Sequence, residues 1–349
     1  MEDVMLAGRL DLATLEFAVE EVPVPVPGPG EVLVAVKAAG VCLSDLHLID
    51  GTLRVWRNDH PKLTLGHEVS GTVAVIGPDV PSSVTVGRRV ILQAGQTCGT
   101  CELCVRQRPC LNGRTRGVHY DGGWAQYALA RHDTLVPIPD HLPFDQAAII
   151  PDAVSTPYAA ITSTASVRPA QSVGVWGIGG LGAHAVQLLR LIGAAPIIAV
   201  DPLPNARTRA LAFGADLALD PAADGFADSV LTATAGRGLD HAFDFAGAPA
   251  VRDQAAAVLG LAGALILVGL SDGPLALTDG IGFSVRNQRL LGHFGSTWED
   301  VEALVALTAH RRLDFADSIS AHIPLADATD AIRILADRTD DPVRLVLIP

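Results

Sequence analysis

Four of the chain's five cysteines fall at Cys98, Cys101, Cys104 and Cys110. Thiols at that spacing suit a closed tetrahedral zinc site, because Zn²⁺ accepts four thiolates and the short loop has few apolar anchors of its own. A loop that is partly occupied or metal-free, and an iron–sulfur cluster, are the other readings of such a run. Against the cluster, no proline follows Cys110 and there is no second cysteine set. The fifth cysteine opens a different group: Cys42, Ser44, Asp45 and His47 bring thiol, hydroxyl, carboxylate and imidazole within six positions. Gly66-His67-Glu68 follows after a loop carrying Trp56 and His60. Each residue alone is compatible with a packed core or a solvated face; in combination they are groups that ligate metals and move protons.

A third stretch, Gly177-Ile178-Gly179-Gly180-Leu181-Gly182, follows the apolar run Val173–Trp176 and leads into Leu181, Ala185, Leu188, Leu189 and Ile192 at helical spacing. Gly193 stands where a left-handed helix end is expected, and Pro196–Val200 makes a second strand ending on Asp201. Strand, glycines, helix, strand and acid in that order read as a dinucleotide site. Gly177 permits the tight turn, Gly179 lets the backbone approach a pyrophosphate, and Gly182 lets the helix pack against the strand. Free N–H groups at the helix start favour the phosphates. Asp201 lies 19 positions past Gly182 (201 − 182), where a carboxylate bonds the adenosine ribose hydroxyls and repels a 2′-phosphate. NAD is therefore expected over NADP.

These groups need elements to position them. The proline-rich run from Val22 to Gly30 cannot be helical, and Glu31–Lys37 reads as a strand, so the first part of the chain is β-rich. Asp152 to Ala160 is expected to open a helix. After Asp201 the alternation continues with a helix ending near Gly214, a strand at Leu217–Leu219 and a helix around 226–235. Strands at His241–Phe245, Ala264–Val268 and Leu290–His293 complete six, a doubly wound parallel sheet. Two helical stretches and a last strand, Val343–Ile348, follow Gly295. The uncharged run Ala255–Leu270 holds three glycines and is short of the ~20 residues a membrane span needs; a helix, a glycine turn and a buried strand are expected there.

Composition narrows the partners. The 349 residues suffice for two domains, 49% are hydrophobic, and the net charge of −13 comes without a basic cluster, which argues against nucleic acid. The acidic start, Met1-Glu2-Asp3-Val4, does not resemble a secretory signal, so a cytoplasmic chain without disulfides or a membrane partner is expected.

Taken together, Gly40–His47, Gly66-His67-Glu68, the four-cysteine lobe and Gly177–Gly182 resemble the zinc-dependent alcohol dehydrogenases of the medium-chain dehydrogenase/reductase superfamily, over essentially the whole length. The resemblance implies a GroES-like β-rich catalytic domain over 1–153 and 295–349, with a structural zinc lobe at about 95–113, and a Rossmann NAD-binding domain over 154–294. It implies a catalytic zinc held by Cys42, His67 and Asp152, the last standing six residues ahead of Tyr158. Asp45 would orient His67, Glu68 would approach the metal transiently, and Ser44 and His47 would carry the hydroxyl proton away. Gly177, Gly179, Gly180, Leu181, Gly182 and Asp201 would hold NAD; Val268 and Gly269 would lie near the nicotinamide, and Arg344 would pair with the pyrophosphate.

Two departures from the family pattern stand out. Only five residues separate Cys104 from Cys110 where seven are usual, and Gly87-Arg88-Arg89-Val90 replaces Gly-Asp-Arg-Val. The activity implied is reversible oxidation of a small or aryl secondary alcohol to its carbonyl by a homodimer or homotetramer. A polyol or sugar dehydrogenase, and a cofactor-binding protein without turnover, are the competing readings. Trp56, Trp124 and Phe294 are candidate pocket residues; His184, His241 and His293 are expected to be structural.

Overall fold

The computed structural model describes residues 3–54, 60–106, 108 and 110–349; Trp56 therefore lies outside the described residues. The chain divides into two compact units, Met1–Ser155 with Ser296–Pro349, and Thr156–Gly295.

In the first unit the strand Glu31–Val41 is central. Most of its apolar residues are buried, and it pairs antiparallel with Val69–Ile76, Tyr127–Arg131 and Arg344–Ile348. The sheet continues outward through Arg89–Leu92 to Leu135–Pro137 on one side and through Ile319–Pro324 on the other. Phe17–Pro23, Val4–Asp11 and Lys62–Thr64 form a smaller sheet. Leu10, Val34, Val41, Leu65, Trp124 and Leu347 are among the core between these layers. Burial of such side chains contributes about 25 cal/mol per Å² removed from water, the main term holding the unit.

Two registers of the central strand set up the chemistry. Ala39 pairs with Val69 and Gly40 with Val346, so Glu68 and Arg344 arrive at the end of the strand that runs into Cys42. Leu43–Ile49 then forms a short helix with Cys42 as its N-cap.

The second unit, its strands numbered in chain order, holds β1 Val173–Trp176, β2 Ile197–Val200, β3 Leu217–Leu219, β4 Leu239–Asp244, β5 Leu259–Leu267 and β6 Arg289–Gly292. They pair in the order β3-β2-β1-β4-β5-β6, all parallel, with β1, β2 and most of β4 and β5 buried. This is the doubly wound sheet expected from the alternation, with β1 and β4 flanking the switch point. The helix Gly182–Ile192 ends at Gly193 with φ 89, the left-handed cap the sequence signals.

Two local expectations are corrected. Gly260 and Gly263 do not make a turn between helix and strand: β5 already starts at Leu259, and a bulge in its pairing with β4, with Ala262 at φ 58, absorbs them. The helix carrying Asp152 does not open there either. It begins at Phe144, and Ile150–Val154 is a π-turn followed directly by the α-helical Ser155–Ala159. Among the described residues no helix is long and apolar enough to cross a membrane.

Candidate active site

Residues 42, 67 and 152 are distant in sequence, yet their donor atoms converge. Cys42 Sγ lies 3.4 Å from Asp152 Oδ2, and His67 Nε2 lies 3.3 Å from the same oxygen. With a carboxylate oxygen of Glu68, these atoms all fall within 4.8 Å of one another. Three elements deliver them: the end of the central strand brings Cys42, the segment before Val69–Ile76 brings His67 and Glu68, and the π-turn brings Asp152. A π-turn inserts one residue into a helix and rotates the residues beyond it, a feature concentrated at functional positions.

Asp45 organises the cluster from beneath. Its Oδ2 accepts the N–H of Cys42 at 3.0 Å and its Oδ1 the N–H of Gly66 at 3.2 Å. Oδ1 also stands 3.5 Å from His67 Nδ1, which favours the tautomer with its proton on Nδ1 and turns the Nε2 lone pair toward Asp152 and Cys42, as a metal ligand requires. Ser44 Oγ lies 3.7 Å from Cys42 Sγ. His47, on the same short helix, is half-buried, and its Nδ1 is buried without a hydrogen-bond partner.

The electrostatics are those of a buried cluster of acidic and thiol groups. Burial and the neighbouring Asp152 carboxylate push the Cys42 thiol up. Burial also pushes Glu68 up, to about 7, although Arg344 opposes it. For His67, burial disfavours the imidazolium, but the Asp45 charge and hydrogen bonds to Asp152, Asp45 and Cys42 outweigh it and hold the ring well above its ordinary value. A divalent cation reverses each of these by favouring thiolate, carboxylate and neutral imidazole, so a buried Cys and His with a half-buried Asp fit zinc.

Arg344 departs from expectation. Its Nη2 is paired with Glu68 Oε1, and both side chains are buried; the guanidinium that the resemblance would pair with a pyrophosphate is held by a carboxylate beside the metal-ligand set. Glu68 Oε2 has no partner. Sequence reasoning also missed Gly40: a Cβ there would lie 1.9 Å from Glu68 Oε2. A glycine inside a strand, two residues before Cys42, is the signal that could have found this close approach. Trp124 is no pocket residue. It is fully buried, stacks edge-to-face on Phe17 with centroids 5.8 Å apart, and donates to the Gly40 carbonyl. Phe294 is 73% exposed.

The four remaining cysteines gather at one point despite the shortened spacing. Sγ separations are 3.5 Å for Cys98 and Cys110, 3.9 Å for Cys98 and Cys104, and 4.0 Å for Cys101 and Cys110. Zn–S bonds of about 2.3 Å put tetrahedral sulfurs about 3.8 Å apart. All four thiols are free of disulfides. Backbone N–H groups of Cys98, Cys101, Cys104 and Asn112 point at sulfurs, an arrangement that favours thiolates. Those from Thr100 and Cys101 draw Cys98 down to about 5, whereas the crowding sulfurs, Cys110 first, push Cys104 up to about 12. Four sulfurs that cannot all ionise unaided are the donor set a zinc ion completes.

In the second unit three glycines of the turn stand where a side chain would be strained, unopposed or blocked. Gly177 has φ +85, a Cβ on Gly179 would meet nothing within 4 Å, and one on Gly182 would lie 1.8 Å from the Gly177 carbonyl oxygen. Gly180 and Leu181 complete the turn, and His184 Nδ1 sits 2.6 Å from the Gly180 carbonyl. Asp201 follows directly on β2, only 7% exposed; Oδ2 accepts the Ile178 N–H at 2.8 Å and Oδ1 that of Leu203 at 2.9 Å. Val268 and Gly269 follow directly on β5, at the carboxyl edge of the sheet, and both donate to the Asp244 carbonyl. His241 contacts Gln171 Oε1 and His293 contacts Thr164 Oγ1, structural placements for both.

Comparison with known proteins agrees with this geometry. The alcohol dehydrogenase GroES-like domain matches residues 28–140 and the zinc-binding dehydrogenase domain residues 180–310. An alcohol dehydrogenase of Rhizobium meliloti strain 1021 is 37% identical over 261 residues, 74% of this chain and 75% of that one. A chain from Sinorhizobium meliloti 1021, provisionally classed as a zinc-binding dehydrogenase and bound to NADP, superposes with a TM-score of 0.91 at 28% identity, covering 100% of both chains. Acetophenone reductase from Geotrichum candidum in complex with NAD superposes with a TM-score of 0.86 at 28% identity, covering 100% of this chain and 98% of that one. The chain belongs to the zinc-type alcohol dehydrogenases of the medium-chain dehydrogenase/reductase superfamily, and so to the oxidoreductases.

Proposed function

We propose that this chain catalyses reversible, NAD-linked oxidation of a secondary alcohol to its ketone, with Cys42, His67 and Asp152 as ligands of a catalytic zinc and the four-cysteine lobe as a structural zinc site. The observation that carries the reading is the convergence of Cys42 Sγ, His67 Nε2 and Asp152 Oδ2. Three protein donors leave a coordination position for substrate, the pattern of catalytic rather than structural zinc. When bound, zinc supplies Lewis acidity that lowers the hydroxyl pKa, and the dinucleotide supplies the hydride acceptor.

The chain's own residues do the rest. Asp45 fixes the His67 ring and the Cys42 backbone. Ser44, beside Cys42, takes the hydroxyl proton, and the unpartnered Nδ1 of His47 is placed on the same helix to accept it onward. Glu68, held by Arg344, keeps a second carboxylate oxygen free beside the ligand set. The balance is one hydride from the carbinol carbon to the nicotinamide and one proton from the hydroxyl to water. Asp201 favours NAD, because a 2′-phosphate would bring like charge against a carboxylate that is already buried.

The secondary-alcohol preference rests on Asp152 standing in the third ligand position and on the likeness to acetophenone reductase. Domain assignment follows the same reading: a GroES-like catalytic part and a Rossmann cofactor part, working as a homodimer or homotetramer. The test combines metal analysis with formation of reduced nicotinamide on a panel of primary, secondary and polyhydric alcohols. Cys42→Ala should lower turnover by about a thousandfold or more while NAD still binds; unchanged turnover would refute the assigned chemistry.

A further inference from the structure

We propose that Arg209 is a positioning residue for the dinucleotide phosphates, acting together with Asp201 by clamping Ile178 inside the glycine turn. The inference rests on reading Gly177–Gly182 as the phosphate cradle. Ile178 sits between two glycines, and both of its backbone groups are taken by side chains from beyond β2. Its N–H goes to Asp201 Oδ2 at 2.8 Å, and its carbonyl accepts from Arg209 Nη2 at 2.7 Å. The two peptide planes that flank Ile178 are thus fixed from opposite ends.

Such fixing matters because of the residues on either side. Gly177 has φ +85, and Gly179 has no atom within 4 Å of its would-be Cβ, so neither offers a side chain to hold the turn. Glycine backbone is the most mobile there is, yet a phosphate site made of N–H groups works only if those groups already point the right way. Ile178 contributes a fully buried side chain on one side of the turn. The clamp supplies the remaining constraint, orienting the plane that leads into Gly179.

Arg209 is itself held in place. It lies on the helix Pro204–Ala212, whose entry is tied to Asp201: Leu203 N–H bonds Oδ1, and Arg207 Nη1 lies 2.7 Å from the Asp201 carbonyl. Asp201 therefore joins three parts: the glycine turn, the following helix and, by the proposed function, the ribose. A charged donor on a carbonyl is stronger than a neutral one, and more so where water is partly excluded, as at this half-buried site. Arg209 need not touch the ligand to matter.

The experiment measures binding of ADP-ribose and of adenosine to the full-length parent, Arg209→Gln and Arg209→Lys by calorimetry, with KM for NAD and kcat alongside. Arg209→Gln should bind ADP-ribose about tenfold more weakly, with adenosine affinity unchanged and kcat at saturating NAD retained. Arg209→Lys, which keeps a cationic donor, should recover most of the loss. Unchanged ADP-ribose affinity in Arg209→Gln overturns the proposal, and so does an equal loss for adenosine, which would make the guanidinium part of the adenosine site. A parent chain that binds neither probe overturns the cradle reading itself, and this proposal with it.

Discussion

Gly40 and Glu68 occupy each other's space: a Cβ on residue 40 would lie 1.9 Å from Glu68 Oε2 and 2.9 Å from Glu68 Cβ. The carboxylate that pairs with Arg344 stands where it does only because the neighbouring strand carries no side chain there.

Gly40→Ala should therefore destabilise the chain. Elsewhere such a change restricts the unfolded state and stabilises slightly. Here it displaces Glu68 and leaves Arg344 buried without its carboxylate, at a cost of about 3 kcal/mol. Thermal unfolding of the single variant and of Gly40→Ala with Glu68→Ala forms the measurement. The alanine at 40 should cost less in the double variant, and a single variant as stable as the parent would contradict the packing described.

Cys110→Ala should lower stability more than rate. The sulfur it removes lies 3.5 Å from Cys98 and 4.0 Å from Cys101. A structural metal contributes folding energy directly, so a loss on the order of several kcal/mol is expected, with about one zinc fewer per chain. Metal content and unfolding midpoint check it; a variant with the parent's midpoint would argue against a metal in the lobe.

If the chain uses NAD as proposed, Asp201→Gly should relax the preference for NAD over NADP by about tenfold or more, since the charge that would repel a 2′-phosphate is gone. It also removes the acceptor of the Ile178 N–H. The variant should consequently bind NADP more weakly than the parent binds NAD. Dissociation constants for both dinucleotides decide this, and a parent that already prefers NADP would place cofactor choice elsewhere.

His241 gives a pH signature away from the metal sites. Burial lowers its folded-state value below the ordinary 6.5. The unfolded chain then binds the extra proton more readily, so this contribution to stability is complete above pH 6.5 and is lost as pH falls below it through the folded value. Replacing it, His241→Gln, should flatten stability against pH in that window. Denaturant midpoints across the range test the point; a slope equal to the parent's would deny the histidine that role.

Much of the fold and site is legible in the sequence, for a physical reason that also marks the limit. The glycine turn, its helix and Asp201 are nearly contiguous, so their spacing in sequence is their spacing in space. Four cysteines within thirteen positions behave likewise. Contacts set by strand register and helix defects leave no such trace. Arg344 pairs with Glu68 across the central strand, 276 residues apart in sequence. The π-turn that carries Asp152 has no compositional sign, so the sequence pattern starts a helix where the chain in fact shifts the hydrogen bonding of one already begun. Trp124 reads as a pocket wall because aromatic residues often are; Gly66, whose Cβ would lie 2.2 Å from its ring, shows why it is instead core.

The difference between local and distant donors also sets a timetable. Cys98 and Cys110 are 12 positions apart, whereas Cys42 and Asp152 are separated by 110. On the ribosome, the lobe has all its sulfurs as soon as residue 110 emerges and can capture an ion while most of the chain is still unmade. The set around Cys42 must wait for the nascent polypeptide to reach residue 152 and for the sheet to close. If both sites take zinc as proposed, copies synthesised when zinc is scarce should therefore load the first site and leave the second unfilled.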